Sequence, residues 1–439
     1  MIKIITYIFI GFLVSFYLFP ISFTFLPSGL NTKMILGVLG IFFAGLNWLK
    51  TQNLTISRGL LISIIISLLF SFICYYSTDI NNTTDYSYAS YIVSFSVWFF
   101  GAFAVCYFIR YAHGGKASLR ILTNYLAAVC FFQCVAAIMI DNIPAFKLLV
   151  DSVVNQGQDF FDEVNRLYGI GAALDSAGVR FSLVLVLITA SLNNSIKTRG
   201  DTWNITLLLI AFFTISVIGN AIARTTILGV ISSLIYFLVG SGLFRKIIKM
   251  ESVKLGILFG FIFLFAIFLT VYLYNTNQAF YEQMRFAFEG FFNWIEHGEW
   301  RTGSTDKLNR EMWIWPEDQK TWLIGSGKFG LYEFSTDIGY CRFILYCGLI
   351  GFSVFAFLFV FNALYFMNRY PKYWMMFLIF LVLTFIFWVK VATDIFFIYA
   401  LFYCLDTFSD EEENEVEELD VIGNNEKLDE NSLLYPRYV

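Results

Sequence analysis

The sequence predicts an all-α polytopic membrane protein of about twelve transmembrane helices (eleven possible), with a large outer loop before the tenth span. Three observations predict it. Hydrophobic residues make up 58% of the 439 and charged residues 14%. The mean hydropathy is +0.68, outside the range of water-soluble domains. Apolar runs of about 17 to 25 residues recur along the chain, the length that crosses a bilayer core as helix. Lys and Arg gather in alternate connections, as the positive-inside rule requires.

Each span follows from an apolar run between polar stretches. The first, 4–26, follows Lys3; it is too long for the apolar part of a signal peptide and has no small-x-small cleavage site. Further spans are expected at 34–50, 59–77, 90–111, 119–140, 177–193, 203–219, 225–244, 255–274, 338–366, 373–389 and 392–408. The last two are separated only by Lys390 to Asp394, without Gly or Pro, so one long tilted helix is the alternative. The 52 Phe residues suit lipid-facing surfaces, although biased base composition also enriches Phe. The seven cysteines lie almost entirely in apolar segments and read as core packing.

With a cytoplasmic N-terminus, the inner connections hold Lys50 and Arg58, then Arg110, Lys116 and Arg120, then Lys197 and Arg199, then Arg245, Lys246, Lys249 and Lys254, and finally Arg369 and Lys372. The short outer ones hold mainly Lys33 and Arg224. Two outer loops are long, 141–176 and 275–337. Trp294, Trp300, Trp313, Trp315 and Trp322 in the second read as interface anchors or as platforms for sugar rings. The transmembrane domain therefore covers 1–408. The acidic stretch 409–439 is expected to be a disordered cytoplasmic tail, either merely solvated or docking a cytoplasmic partner.

Arg180, Arg224 and Arg342 fall just inside the same, outer, end of otherwise apolar spans, with Lys390 and Asp394 on that side too. A guanidinium in lipid is costly unless it faces a cavity or an anion. The set points to a polyanionic head group, most simply a lipid pyrophosphate; snorkelling to phospholipid is the bland alternative. The inner halves of the spans look almost free of ionisable groups, which disfavours an ion-coupled carrier and fits an enzyme at the outer leaflet. No basic run points to nucleic acid. No carboxylate cluster has metal-ligand spacing, so neither a metal nor a cofactor is expected.

The most distinctive segment runs from Arg310-Glu-Met-Trp313 through Gly325-Ser-Gly327 to Asp337-Ile-Gly339-Tyr340 and Gly348-Leu-Ile-Gly351. Its Gly-rich turn can present backbone amides to an anion. With Arg166-Leu-Tyr-Gly169, Asp175 to Arg180 and Ala223-Arg224-Thr225, this order resembles the O-antigen polymerase and O-antigen ligase superfamily of bacterial membrane glycosyltransferases. Ligases of that superfamily carry a His where this chain has Asp337, and its only histidines are His113 and His297. The polymerase type is therefore favoured.

The resemblance implies a metal-independent enzyme of the bacterial inner membrane with a periplasmic site. It would join polyprenyl-pyrophosphate-linked oligosaccharide units of O-antigen, capsule or exopolysaccharide, with chain-length regulators and flippases as possible partners. It implies Arg180, Arg224 and Arg310, then Arg166 and Arg342, as pyrophosphate ligands. It implies Asp337 as the first candidate base, followed by His297, Glu296 and Glu299; the plain alternative for Asp337 is a helix N-cap. A ligase, a lipid-oligosaccharide flippase and a non-catalytic scaffold are the competing readings.

Overall fold

A computed structural model describes residues 2–408 except 28, 53–55, 158–160, 162–165, 198–201, 241–249 and 331–334. The acidic stretch 409–439 lies outside the described residues. In chain order the helices are α1 (Ile2–Leu18), α2 (Thr32–Thr51), α3 (Arg58–Ile80), α4 (Tyr91–Ala112), α5 (Leu119–Asn142), α6 (Pro144–Val153), α7 (Leu174–Lys197), α8 (Thr202–Ile222) and α9 (Thr226–Gly240). They continue with α10 (Met250–Thr276), α11 (Gln278–Ala287), α12 (Glu289–His297), α13 (Gly303–Glu311), α14 (Gln319–Ile324), α15 (Gly339–Arg369), α16 (Trp374–Phe387) and α17 (Phe396–Phe408). Among the described residues eight helices are long and apolar enough to cross a membrane: α2, α3, α4, α5, α7, α8, α10 and α15. The apolar helices α1, α9, α16 and α17 are shorter. The protein is thus all-helical and of the membrane-embedded class. Its one described sheet is a pair of two-residue strands, β1 (Ser22–Phe23) antiparallel to β2 (Val154–Asn155).

Polar caps set several boundaries. The Asn31 side chain accepts from the Met34 amide at 3.2 Å to open α2, and Ser57 does the same for Leu60 at 3.2 Å to open α3. The first span ends at Leu18, not near 26. Pro20 disfavours helix for the residue before it, and the chain turns into β1. The loop 141–176 contains α6, which starts with Pro144 at its first position. The loop 275–337 is largely helical, built from α11 to α14.

Small residues let helix pairs approach closely. Gly178 faces Thr225, Gly229 faces Ser182 and Gly240 faces Asn193, a constant register that makes α7 and α9 parallel neighbours. A Cβ on Gly229 would stand 2.2 Å from the Ser182 Cα, so no larger residue fits. Helix α7 is the most enclosed span, with 78% of its apolar window buried; α10 has 0% buried and forms the outermost layer.

Helix α15 is broken, not merely tilted. Gly348 has φ +66°, a left-handed value that glycine adopts at little cost. The break frees the carbonyls of Leu345 and Tyr346. The amides of Ser326 and Gly327 donate to them at 2.7 and 3.0 Å, and the Ser77 hydroxyl donates to Tyr346 at 2.8 Å. The Gly325-Ser-Gly327 turn therefore spends these amides on the broken helix. Two residues further on, the Phe329 and Gly330 amides do bind an anion, the chain's own Asp85 carboxylate, each at 2.5 Å.

A single helix over 373–408 is also overturned. After α16 the chain turns, with the Trp388 indole donating to the Thr393 carbonyl at 2.6 Å. Asp394 then accepts from the Phe396 amide at 3.0 Å as α17 begins. A short polar connection ends one helix and caps the next without Gly or Pro.

Candidate active site at one end of the helices

The charged residues singled out in the sequence fall into three settings. In the first, Arg180 lies in the second turn of α7, partly exposed, between the rings of Phe397 at 5.3 Å and Phe19 at 6.0 Å. It donates through Nη1 to the Ser176 carbonyl at 2.7 Å, and its Nε is buried without a partner. Lys33, in the first turn of α2, packs its ammonium over Trp98 at 4.4 Å. Both cations lie within electrostatic reach of Asp394. Arg342 stacks on Phe329 at 4.0 Å and donates to its carbonyl at 2.8 Å. Arg342 and Asp394 both act on Tyr88. Arg180 and Lys33 thus stand near the one carboxylate of Asp394, at the end of the bundle where α2, α7, α15 and α17 begin, and Arg342 lies in the first turn of α15 at that end.

In the second setting Arg224 and Lys390 are each paired with a carboxylate, and Arg166 acts on Arg224 as a further cation. Arg224, in the turn between α8 and α9, binds Glu289 at 2.6 Å and stacks on Phe286 at 3.9 Å. Arg166 lies over the same ring at 5.4 Å. Asp175, in the first turn of α7, accepts from the Thr225 hydroxyl and pairs with Lys390 at 2.7 Å. A cavity of ≈ 400 Å³ adjoins this group, lined in part by Arg224, Lys390, Asn220 and Trp300. The two settings share the first turns of α7 and the connection 388–395.

The third setting is the periphery. Arg310 is exposed at the last turn of α13, its charge acting on Asp306. His297 is the exposed final residue of α12. Glu296 is tied to Arg285 and Glu299 to Arg301 in surface ion pairs. Of the candidate bases, His297, Glu296 and Glu299 therefore stand apart from the two charged settings. Asp337 is partly exposed and immediately precedes Ile338, the cap residue of α15. No side chain caps that helix, so Asp337 is not its N-cap.

The sequence reading missed Lys33, Asp394 and Glu289 as members of the site. A lone carboxylate between two apolar runs was a signal available for Asp394. Glu289 and Phe286 carried none, because the fold of the long loop brings them to Arg224. The supposedly apolar inner half also holds a polar network. Buried Asp406 pairs with Arg369 and accepts from Tyr365 at 3.1 Å, and Ser63, Asn362 and Tyr403 bond to one another at 2.7 to 3.1 Å.

Fold and site together define an all-α membrane protein with a polar, aromatic-lined constellation at one end of its helices. No protein family profile, no characterised protein and no solved structure matches the chain.

Proposed function

We propose that this chain is a polysaccharide polymerase of the bacterial inner membrane, extending glycans from polyprenyl-pyrophosphate-linked oligosaccharides at the outer leaflet. The reading takes all twelve apolar helices as spans, with the N-terminus and the stretch 409–439 in the cytoplasm and the charged constellation facing the periplasm. The Lys and Arg distribution supports that orientation.

The observation that carries the proposal is the cation excess around Asp394. Arg180 and Lys33 share Asp394 at the ends of apolar helices, and Arg180 keeps a buried Nε–H without a partner. A diphosphate supplies the acceptors such donors lack. In the reaction the acceptor hydroxyl oxygen bonds to the anomeric carbon as the bond from that carbon to the pyrophosphate oxygen breaks. The electron pair leaves with the pyrophosphate, whose growing charge the cations stabilise. The hydroxyl proton passes to a carboxylate, a role assigned here to Asp337 at the head of α15. Asp394 offsets part of the charge of Arg180 and Lys33.

The test is substitution of Arg180, Lys33, Arg342 and Asp337 one at a time, with surface polysaccharide resolved on a gel. Single-unit products from Arg180→Gln, with ligation intact, are expected. Unchanged ladders in all four variants would reject the enzyme reading. Loss of every glycan-capped lipid would point to a ligase instead.

A further inference from the structure

We infer that the ≈ 400 Å³ cavity beside Arg224 is a subsite for a neutral sugar residue and not for the pyrophosphate. The inference rests on the proposed function and divides its substrate between the two charged settings.

Charge balance is the first argument. Arg224 is neutralised by Glu289 at 2.6 Å and Lys390 by Asp175 at 2.7 Å. Arg166 shares Phe286 with Arg224 but does not line the cavity. A diphosphate entering here would have to displace carboxylates already in place. A polyol needs no such exchange.

The second argument is a pair of unmet hydrogen bonds. Asn220, 1% exposed, lines the cavity; its Nδ2 donates to the Ala287 carbonyl at 2.9 Å, but its Oδ1 is buried without a partner. The Arg224 Nε is likewise buried without a partner. One group lacks a donor and the other an acceptor. A hydroxyl supplies both functions in one atom, whereas a phosphate oxygen supplies only the acceptor. Leaving buried polar groups unmatched is costly, so a ligand that satisfies them is selected strongly.

The third argument is the wall. Trp300 and Phe291 line the cavity with Thr302 and Asn309, which combines aromatic surface for the apolar face of a sugar with hydroxyl and amide groups for its rim.

The test uses the full chain in lipid nanodiscs and saturation-transfer NMR with a panel of neutral methyl glycosides: hexoses, deoxyhexoses and N-acetylhexosamines. At least one glycoside should saturate and resist displacement by inorganic pyrophosphate. Asn220→Leu and Trp300→Ala should each weaken it about tenfold, and Asn220→Asp, which keeps an acceptor oxygen, should retain most of the affinity. Asn309→Ala, on the exposed face of α13, gives the same readout if the buried variants do not fold. The subsite is rejected if no glycoside binds, if pyrophosphate displaces it, or if no folded variant weakens it. The two proposals fail separately. Loss of polymer in Arg180→Gln without glycoside binding rejects only the subsite. Glycoside binding with normal polymer in every variant of the Asp394 cluster rejects only the polymerase.

Discussion

The two charged centres use similar residues and differ in bookkeeping. Around Arg224, each lining cation has a carboxylate within 2.7 Å. Around Asp394, Arg180 and Lys33 share a single carboxylate. Arginine near a membrane surface is therefore not one signal. A paired guanidinium offers directed hydrogen bonds with little net field, and an under-compensated group offers field first. The comparison assigns the anionic part of a ligand to one centre and its neutral part to the other.

The sharpest way to break that assignment is to remove one cation from each centre. Arg180→Gln should lower turnover by about 10²–10³, the usual cost of removing one preorganised donor at a developing charge. Arg224→Gln should act mainly on KM, by roughly tenfold, through lost contact with substrate groups that do not react. Turnover of purified variants with a lipid-linked oligosaccharide measures both. Equal losses in kcat at the two centres would erase the distinction between them.

Packing supplies the next largest effect. Both centres depend on the first turns of α7, which α9 holds in parallel register through Gly229. Gly229→Ala places a methyl 2.2 Å from the Ser182 Cα and must push the helices apart. Overpacking of this kind costs about 1–3 kcal/mol. A lower unfolding temperature in detergent is expected, with activity falling at both centres together. Loss at one centre alone would mean that they do not share this support.

A smaller change should turn one centre into a likeness of the other. Glu289→Gln removes the counter-charge of Arg224 and keeps the side-chain shape. Inhibition by inorganic pyrophosphate should then strengthen by up to about fivefold, the upper range for one charge contact at a partly exposed site. Unchanged inhibition would show that pairing by Glu289 is not what keeps anions out.

The sequence made much of this legible and hid the rest for identifiable reasons. Long apolar runs announced the helices, because a backbone in lipid must satisfy its own hydrogen bonds. That Arg180, Arg224 and Arg342 lie near the beginnings of apolar helices was readable from the runs alone. What stayed hidden depends on non-local packing. The pairing of Arg224 with Glu289 spans 65 positions, across α9 and α10, and ends in a loop whose four helices have no transmembrane signal. Arg310 followed a short motif and not a spatial argument, and it lies exposed. The break in α15 was not foreseen: non-helical backbone was expected only before the tenth span, and Gly348, inside an apolar run, carries the break. The Gly-rich stretch before α15 was expected to meet a ligand's anion; its amides meet Leu345, Tyr346 and Asp85.

That last contact yields the smallest predicted effect and separates loop order from catalysis. Burial pushes the Asp85 carboxyl up, but the Ser87 hydroxyl and the amides of Gly330, Phe329 and Ser87 outweigh it and hold Asp85 below the usual carboxylate range. A group whose folded-state pKa is depressed stabilises the fold fully above its unfolded value, near 3.9. That contribution fades as the pH falls through the folded value. Unfolding temperature should therefore be flat in this respect above about pH 5 and fall below about pH 4. Asp85→Asn should lower stability at neutral pH by about 1 kcal/mol and flatten the acid limb, since the amide accepts fewer and weaker bonds from the same donors. It should change pyrophosphate inhibition little, because Asp85 meets the Phe329 backbone and touches none of the cations itself. An acid limb identical in the wild type and Asp85→Asn would show that the anchoring of the 325–330 turn to the 81–90 connection does not rest on this carboxylate.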